Sequence, residues 1–329
     1  MSIEIVHVYR GNSIESIHRG DIVGVDRQGH VVLKYGDENK RTFWRSSAKP
    51  FQAIPMVEAG GIESFGFTTK ELALMTSSHG GEEKHVMVLE SILEKIGKNL
   101  TDLDCGEAKP IYGKAYKKLL MANRPYTAAN NPCSGKHSCM LATGVLKEID
   151  LKNYIDRNHP IQRLMLETIS EVTELEPNDI DIAIDGCGVP VFGLPIYNMA
   201  KAYMKLSYTD AKDKRSQALG KIASAMVKEP YYVAGTSRLD TILMEETEGK
   251  ILAKLGAESV YCVTIMNEGV GVAMKTEDGN NRALSQAIPD LLIKHGFITN
   301  TEYERIKERL NLLIKNHRQE VVGYMKTVF

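Results

Sequence analysis

The stretch RSSAKPFQAIP, residues 45–55, sets Ser46 three positions before Lys49. If a helix begins there, the two side chains share one face, close enough for an amine to reach a hydroxyl. A lysine that has lost its proton can take the proton of a neighbouring serine and turn it into a nucleophile. Pro50 suits a first helical turn, and Phe51, Ile54, Pro55 and Val57 give that helix an apolar side. Serine and lysine are common residues, so an S-x-x-K also arises by chance. The rest of the chain decides.

Three other places carry chemistry. In ILAKLGAESV, Lys254-Leu255-Gly256 forms a K-x-G on a strand-like segment. Serine β-lactamases and penicillin-binding proteins line one site with an early S-x-x-K and a late K-[ST]-G. Order and separation fit here, but Leu255 stands where a hydroxyl belongs and no S-D-N lies between. A lysine near a strand end also serves as a solvated edge residue. In MTSSHGGEEKHV, Ser77, Ser78 and His79 run into two glycines before a helix. Small residues allow close approach of a substrate, and a helix start favours an anion; an N-cap loop uses the same letters. In NNPCSGKHSCML and DGCGVPVFG, Cys133 and Cys187 sit in glycine turns. Two such thiols share a Zn²⁺ when a third ligand joins them, His137 being the ordinary choice and Lys136 the unusual one. Lysine ligates only after losing its proton. Cys105, Cys139 and Cys262 read as small buried hydrophobes.

These groups need a scaffold. A chain of 329 residues with 43% hydrophobic content can bury a sizeable core, as one large domain or two fused ones. A net charge of −1 offers no basic field to nucleic acid, and no apolar run is long enough for a membrane span. The first residues alternate apolar and polar instead of forming a signal-peptide core, and five cysteines suit reduced thiols. A soluble cytoplasmic protein is expected. EIVHVYRG, DIVGVD and HVVLKYGD predict strands, the last two joined at Arg27-Gln28-Gly29. EEKHVMVLESILEKIG predicts a helix with Val86, Leu89, Leu93 and Ile96 inward and Gly97 as its stop; a second opens on Asn158 and Pro160. DIAIDGCG is a short strand, SVYCVTIM and VGVAMKT a late hairpin, and two polar-faced helices close the chain. Strands, then helices, then strands again indicate α/β (α+β), with a sheet assembled from distant parts.

Taken together, RSSAKPFQ, SSHGGEEKHV, NNPCSGKHSCML, DGCGVPVFGLP, VAGTSRLDT and KLGAESV resemble the thermolabile, rhizobial-type (class 3) L-asparaginase family, and the C-terminal NHRQEVVGYMK is similar too. The resemblance implies a serine-β-lactamase-like antiparallel sheet flanked by helices, spanning 1–329 as one catalytic domain. It implies a homodimer that hydrolyses L-asparagine to aspartate and ammonia. It assigns catalysis to Ser46 and Lys49 and to a second pair, Ser78 and Lys254. It gives the zinc to Cys133, Lys136 and Cys187, and substrate contacts to Arg45, His137, Asp185 and Arg238, with His137 and Asp185 next to the metal. Gly80, Pro132 and Ser237 depart from the family pattern. Ser46, one turn from Lys49, is the expected nucleophile, with Ser78 and Lys254 relaying the proton to ammonia. Another serine amidase, such as a glutaminase, and a non-catalytic zinc-stabilised binding protein are the alternatives.

Overall fold

The alternating N-terminal segments form an antiparallel core sheet in the computed structural model, which describes residues 1–208 and 213–329. The strands are β1 (Ile3–Arg10), β2 (Ser13–Val25), β3 (Val31–Tyr35), β4 (Arg41–Phe43), β5 (Asp181–Ile184), β6 (Pro190–Pro195), β7 (Ile251–Gly256), β8 (Val260–Ile265), β9 (Val270–Thr276), β10 (Ile314–Lys315) and β11 (Val321–Thr327). Eight of them make one sheet in the order β10-β11-β1-β2-β9-β8-β7, with β3 also on β2. The other three form a small sheet, β4-β6-β5. Asp26 shapes the β2–β3 turn, its carboxylate accepting from the backbone of Gln28 at 2.9 Å and His30 at 2.8 Å. The late hairpin forms as expected, β8 against β9.

Helices cover this sheet. The helix Ile196–Lys205 lies across β9, β2 and β8, and every position of β8 is buried. Burial on both sides explains why VYCVTI reads as continuous rather than alternating. The helix expected after Glu82 spans Glu83–Lys95, buries Leu89 and Leu93, and is followed by Gly97 in the left-handed region. The helix Pro160–Thr173 is capped by His159, one residue after the expected Asn158. Two expectations fail at the C-terminus. The helix Arg282–Lys294 buries Leu284, Ile288, Leu291 and Leu292, so it is not simply polar-faced. After the helix Asn300–Leu310 the chain continues into β10 and β11. β11 pairs with β1 and stacks Tyr324 on Tyr9, ring centres 4.8 Å apart. Both ends of the chain thus meet in one antiparallel sheet flanked by helices, the α/β (α+β) class expected. Among the described residues no helix is long and apolar enough to cross a membrane.

Candidate active site

Residues 45–48 form a single 3₁₀ turn that leads directly into the short helix Lys49–Gln52. Trp44 fixes its position, wholly buried with its ring 5.0 Å from Phe51. β7 lies against this turn, because Gly256 has no side chain: a Cβ there would stand 2.7 Å from Ser47 Oγ and 2.8 Å from the Trp44 carbonyl. Residues two apart on a strand share a face, so Lys254 points to the same side as Gly256, towards the turn that carries Lys49. The K-x-G spacing therefore has a packing reason. β7 is an edge strand, yet Lys254 is fully buried, not solvated.

The third wall is the loop after the helix Thr69–Met75. The backbone N–H of Ser78 donates to the carbonyl of Val233 at 2.9 Å, which sets its side chain between the two amines. Lys49 Nζ donates to Ser77 O at 2.6 Å, Ser78 Oγ at 3.1 Å and Pro132 O at 3.3 Å. Lys254 Nζ lies 3.0 Å from the same Ser78 Oγ and donates to Leu255 O at 2.9 Å. An ammonium has three hydrogens, and Lys49 has three acceptors. Lys254 is pushed down to about 7, first by burial, which outweighs the opposing Asp240 carboxylate, and then by Lys49 and Arg238. A neutral Lys254 has a lone pair for the proton of Ser78, while the Lys49 ammonium faces the oxygen that would be left behind. Ser78 is 9% exposed and the two lysines 1% and 0%, so of the three residues only the serine reaches the surface of the pocket.

Ser46 does not join this pocket through Lys49. All three hydrogen bonds of the Lys49 amine go elsewhere, and Ser46 is half-buried at the start of the turn. Position i+3 does lie near position i, but three acceptors from distant segments capture the amine.

A second cluster adjoins the first through the Pro132–Cys133 loop. The thiols of Cys133 and Cys187 are hydrogen-bonded to each other, and Lys136 Nζ donates to Cys187 Sγ at 3.1 Å. Asp185 Oδ2 is 4.0 Å from Lys136 Nζ, and its Oδ1 accepts from Arg45 Nε at 3.0 Å. The Cys187 thiol, together with the Lys49 and Lys136 charges, holds Cys133 well below the usual thiol range, while the bond to Cys133 and burial push Cys187 up. Lys136 is held up despite burial by the Cys133 thiolate and the Asp185 carboxylate beside it, together with its hydrogen bond to Cys187 Sγ. No group of three His, Cys, Asp or Glu side chains suited to a metal occurs among the described residues. Two thiols and one amine do converge, and once deprotonated they form a three-donor set with a fourth position open, as a zinc site requires. His137 is not part of it: its Nδ1 lies 2.6 Å from the Tyr154 hydroxyl and its Nε2 is buried without a partner.

Of the expected substrate contacts, Arg45 and Asp185 are paired with each other and His137 is packed against Tyr154. Arg238, half-buried at the cap of the helix Leu239–Glu246, has no hydrogen bond or ion pair among the described residues. Sequence reasoning missed Asp240, 1% exposed, whose Oδ2 accepts from the Leu255 backbone at 3.0 Å. In TSRLDT it reads as an ordinary acidic residue in a first helical turn; only β7 reveals its partner.

A pocket with a serine between two buried lysines has the make-up of a hydrolase site. The model of the family described as L-asparaginase II matches residues 6–327, and the chain belongs to that family of L-asparaginase enzymes, which act on a small-molecule substrate. No curated protein matches the chain. Among solved structures it is similar to the octameric penicillin-binding protein homologue from Pyrococcus abyssi, at 12% identity and a TM-score of 0.29, over 86% of this chain and 74% of that one.

Proposed function

We propose that this asparaginase works by serine–lysine acyl transfer, and that Ser78 is the hydroxyl activated by Lys254. The supporting observation is the placement of Ser78 Oγ at 3.0 Å from Lys254 Nζ and 3.1 Å from Lys49 Nζ. Lys254 removes the hydroxyl proton as Ser78 Oγ adds to the side-chain amide carbon of L-asparagine. The Lys49 ammonium offsets the charge that grows on the serine oxygen. Lys254 then returns the proton to the amide nitrogen, the C–N bond breaks and ammonia leaves. Water, deprotonated by the same amine, cleaves the ester and releases aspartate. The alternative nucleophile is Ser46, as its S-x-x-K spacing suggests. Its favouring observation is the half-exposed position one turn from Lys49, which would have to give up one of its three present acceptors.

Cys133, Lys136 and Cys187 would hold a zinc ion, which when bound supplies a Lewis acid beside the pocket that orients a polar end of the substrate. Arg238 is the receptor for the substrate's α-carboxylate, and His137 and Asp185 line the thiol side. The six matching blocks support reading the chain as a rhizobial-type asparaginase, for which a serine-β-lactamase-like arrangement, homodimeric assembly and cytoplasmic location are expected. Ser78→Ala and Ser46→Ala, assayed in parallel with acid-quenched peptide mapping of the aspartyl ester, test the nucleophile. Ser78→Ala should lose roughly 10⁴–10⁶ in kcat and the ester should map to the Ser78 peptide. An ester on the Ser46 peptide transfers the role to Ser46. Ammonia release from glutamine and from a β-lactam reporter, measured alongside, separates the asparaginase reading from other amidases.

A further inference from the structure

The loop that carries Ser78 and the loop that carries Arg238 are tied together beside the pocket. Ser78 N–H donates to Val233 O at 2.9 Å. Four residues after Ser78, Glu82 accepts twice from Thr236: Oε1 from the backbone N–H at 2.9 Å and Oε2 from the hydroxyl at 2.7 Å. Between these ties Gly235 lies hard against the first loop, at φ +108°, with room for no Cβ: it would stand 2.6 Å from Glu82 Oε1 and 3.3 Å from the Gly80 N–H. His85 closes the same seam. It accepts the Glu82 N–H at Nδ1, 3.2 Å, which leaves its Nε2–H to donate to Tyr231 O at 3.0 Å. On the far side, Thr241 Oγ1 holds Gly235 O at 2.8 Å. Arg238 emerges two residues after Thr236, from a backbone fixed on both sides.

We propose that Glu82 and Thr236 are positioning residues that set the separation between Arg238 and Ser78 and so select the four-carbon amide, asparagine, over its five-carbon homologue. This rests on the reading of Ser78 and Arg238 given above. A substrate held at its α-carboxylate by Arg238 reaches Ser78 with an amide carbon whose distance is set by the number of methylenes. A pocket whose two ends are free to shift accepts either length; one whose ends are clamped rejects the longer chain. The clamp is buried and charge-assisted, since Glu82 is 9% exposed and both of its oxygens are engaged by Thr236. It touches neither the reacting atoms nor the thiol cluster.

The test is Thr236→Val, which keeps the shape and the backbone N–H but removes the hydroxyl, beside Thr236→Ser, which keeps it. Wild type and Ser78→Ala, with loss of turnover in the latter, first establish the site itself. Thr236→Val should then raise KM for asparagine about ten- to a hundredfold, the size of one lost hydrogen bond to a charge. Its kcat should stay within about twofold, and the asparagine-to-glutamine ratio of kcat/KM should narrow by a similar factor. Thr236→Ser should behave as wild type in both. Thermal unfolding by circular dichroism shows whether the valine variant is folded, and Glu82→Gln provides a second break if it is not. An unchanged KM and an unchanged substrate ratio in a folded Thr236→Val overturn the clamp while leaving the site reading intact. A retained turnover in Ser78→Ala overturns the site reading instead.

Discussion

Lys254 and Lys136 are buried alike, 0% and 3% exposed, yet their surroundings drive them in opposite directions. Burial by itself would discharge both. Around Lys254 burial acts first, the Asp240 carboxylate and more weakly Cys133 oppose it, Lys49 and Arg238 add to it, and the amine falls to about 7. Around Lys136 stand Cys187, Cys133 and Asp185, and the amine keeps its proton. The difference teaches that a buried lysine is a base or a fixed cation according to its company. The two clusters share the Pro132–Cys133 loop, and under the proposed mechanism they do different work: Lys254 would move a proton, Lys136 would hold charge or a metal.

The widest separation should appear in turnover. Lys254→Met removes the base and should lower kcat by about 10²–10⁴. In the wild type the rate should rise as pH climbs through about 7, because the neutral amine is the active form. What survives in Lys254→Met should be flat across that range. Lys136→Met should instead leave kcat within about tenfold and raise KM, as expected of a group that positions rather than reacts. Equal kcat losses in both would erase the contrast drawn here.

Stability should separate the pair with opposite signs. The folded state resists protonating Lys254, so between about pH 7 and the ordinary lysine value near 10.4 the unfolded chain binds the extra proton. Stability therefore rises with pH across that window, and at neutral pH the charge-free Lys254→Met should melt higher than the wild type. Lys136 is raised, so its contribution is full below about 10.4 and is lost as pH climbs through its folded value. Lys136→Met leaves the Cys133 thiolate and Asp185 without their cation and should melt lower. A scan of melting temperature against pH in metal-free buffer reads both signs at once.

Metal content is a narrower test of the same contrast. Lys136→Ala should strip zinc from the purified protein and His137→Ala should retain it, since His137 Nδ1 is engaged with Tyr154. Zinc retained in the first and lost in the second would exchange the two roles.

Much of this scaffold could be read from residues, and the pattern of failures is physical. The strands at the N-terminus and the late hairpin announce themselves by alternation and turn chemistry. β11 does not: VVGYMKT is half-exposed and gains its partner only when the far end of the chain returns to β1. The site shows the same division. Ser46, Lys49 and Lys254 stand out by spacing and Ser78 only through the family resemblance, and the contacts among them do not stand out at all, because Lys49 is captured by acceptors on segments 28 to 83 positions away. Asp240 and Glu82 are invisible for the same reason. A carboxylate in a first helical turn or at a cap has an ordinary local explanation, and only the strand or loop that packs onto it supplies another.

The smallest effect is also the most specific to the Lys254 pocket. Asp240 is the one neighbour that opposes burial strongly at Lys254, and its Oδ2 also fixes β7 through the Leu255 N–H. Asp240→Asn removes the charge but keeps an oxygen able to accept that N–H. Without the carboxylate the protonated amine is less favoured, so Lys254 should titrate below its present value of about 7. The acid limb of the rate profile should accordingly move to lower pH, by up to about one unit. A base of lower pKa is also a weaker base, so the plateau should fall a few-fold, opposite in direction to any gain at acid pH. Measured as kcat against pH, the two curves should cross on the acid side. An acid limb that stays in place, or moves upward, would mean that Asp240 only shapes β7 and that burial with Lys49 alone sets the amine.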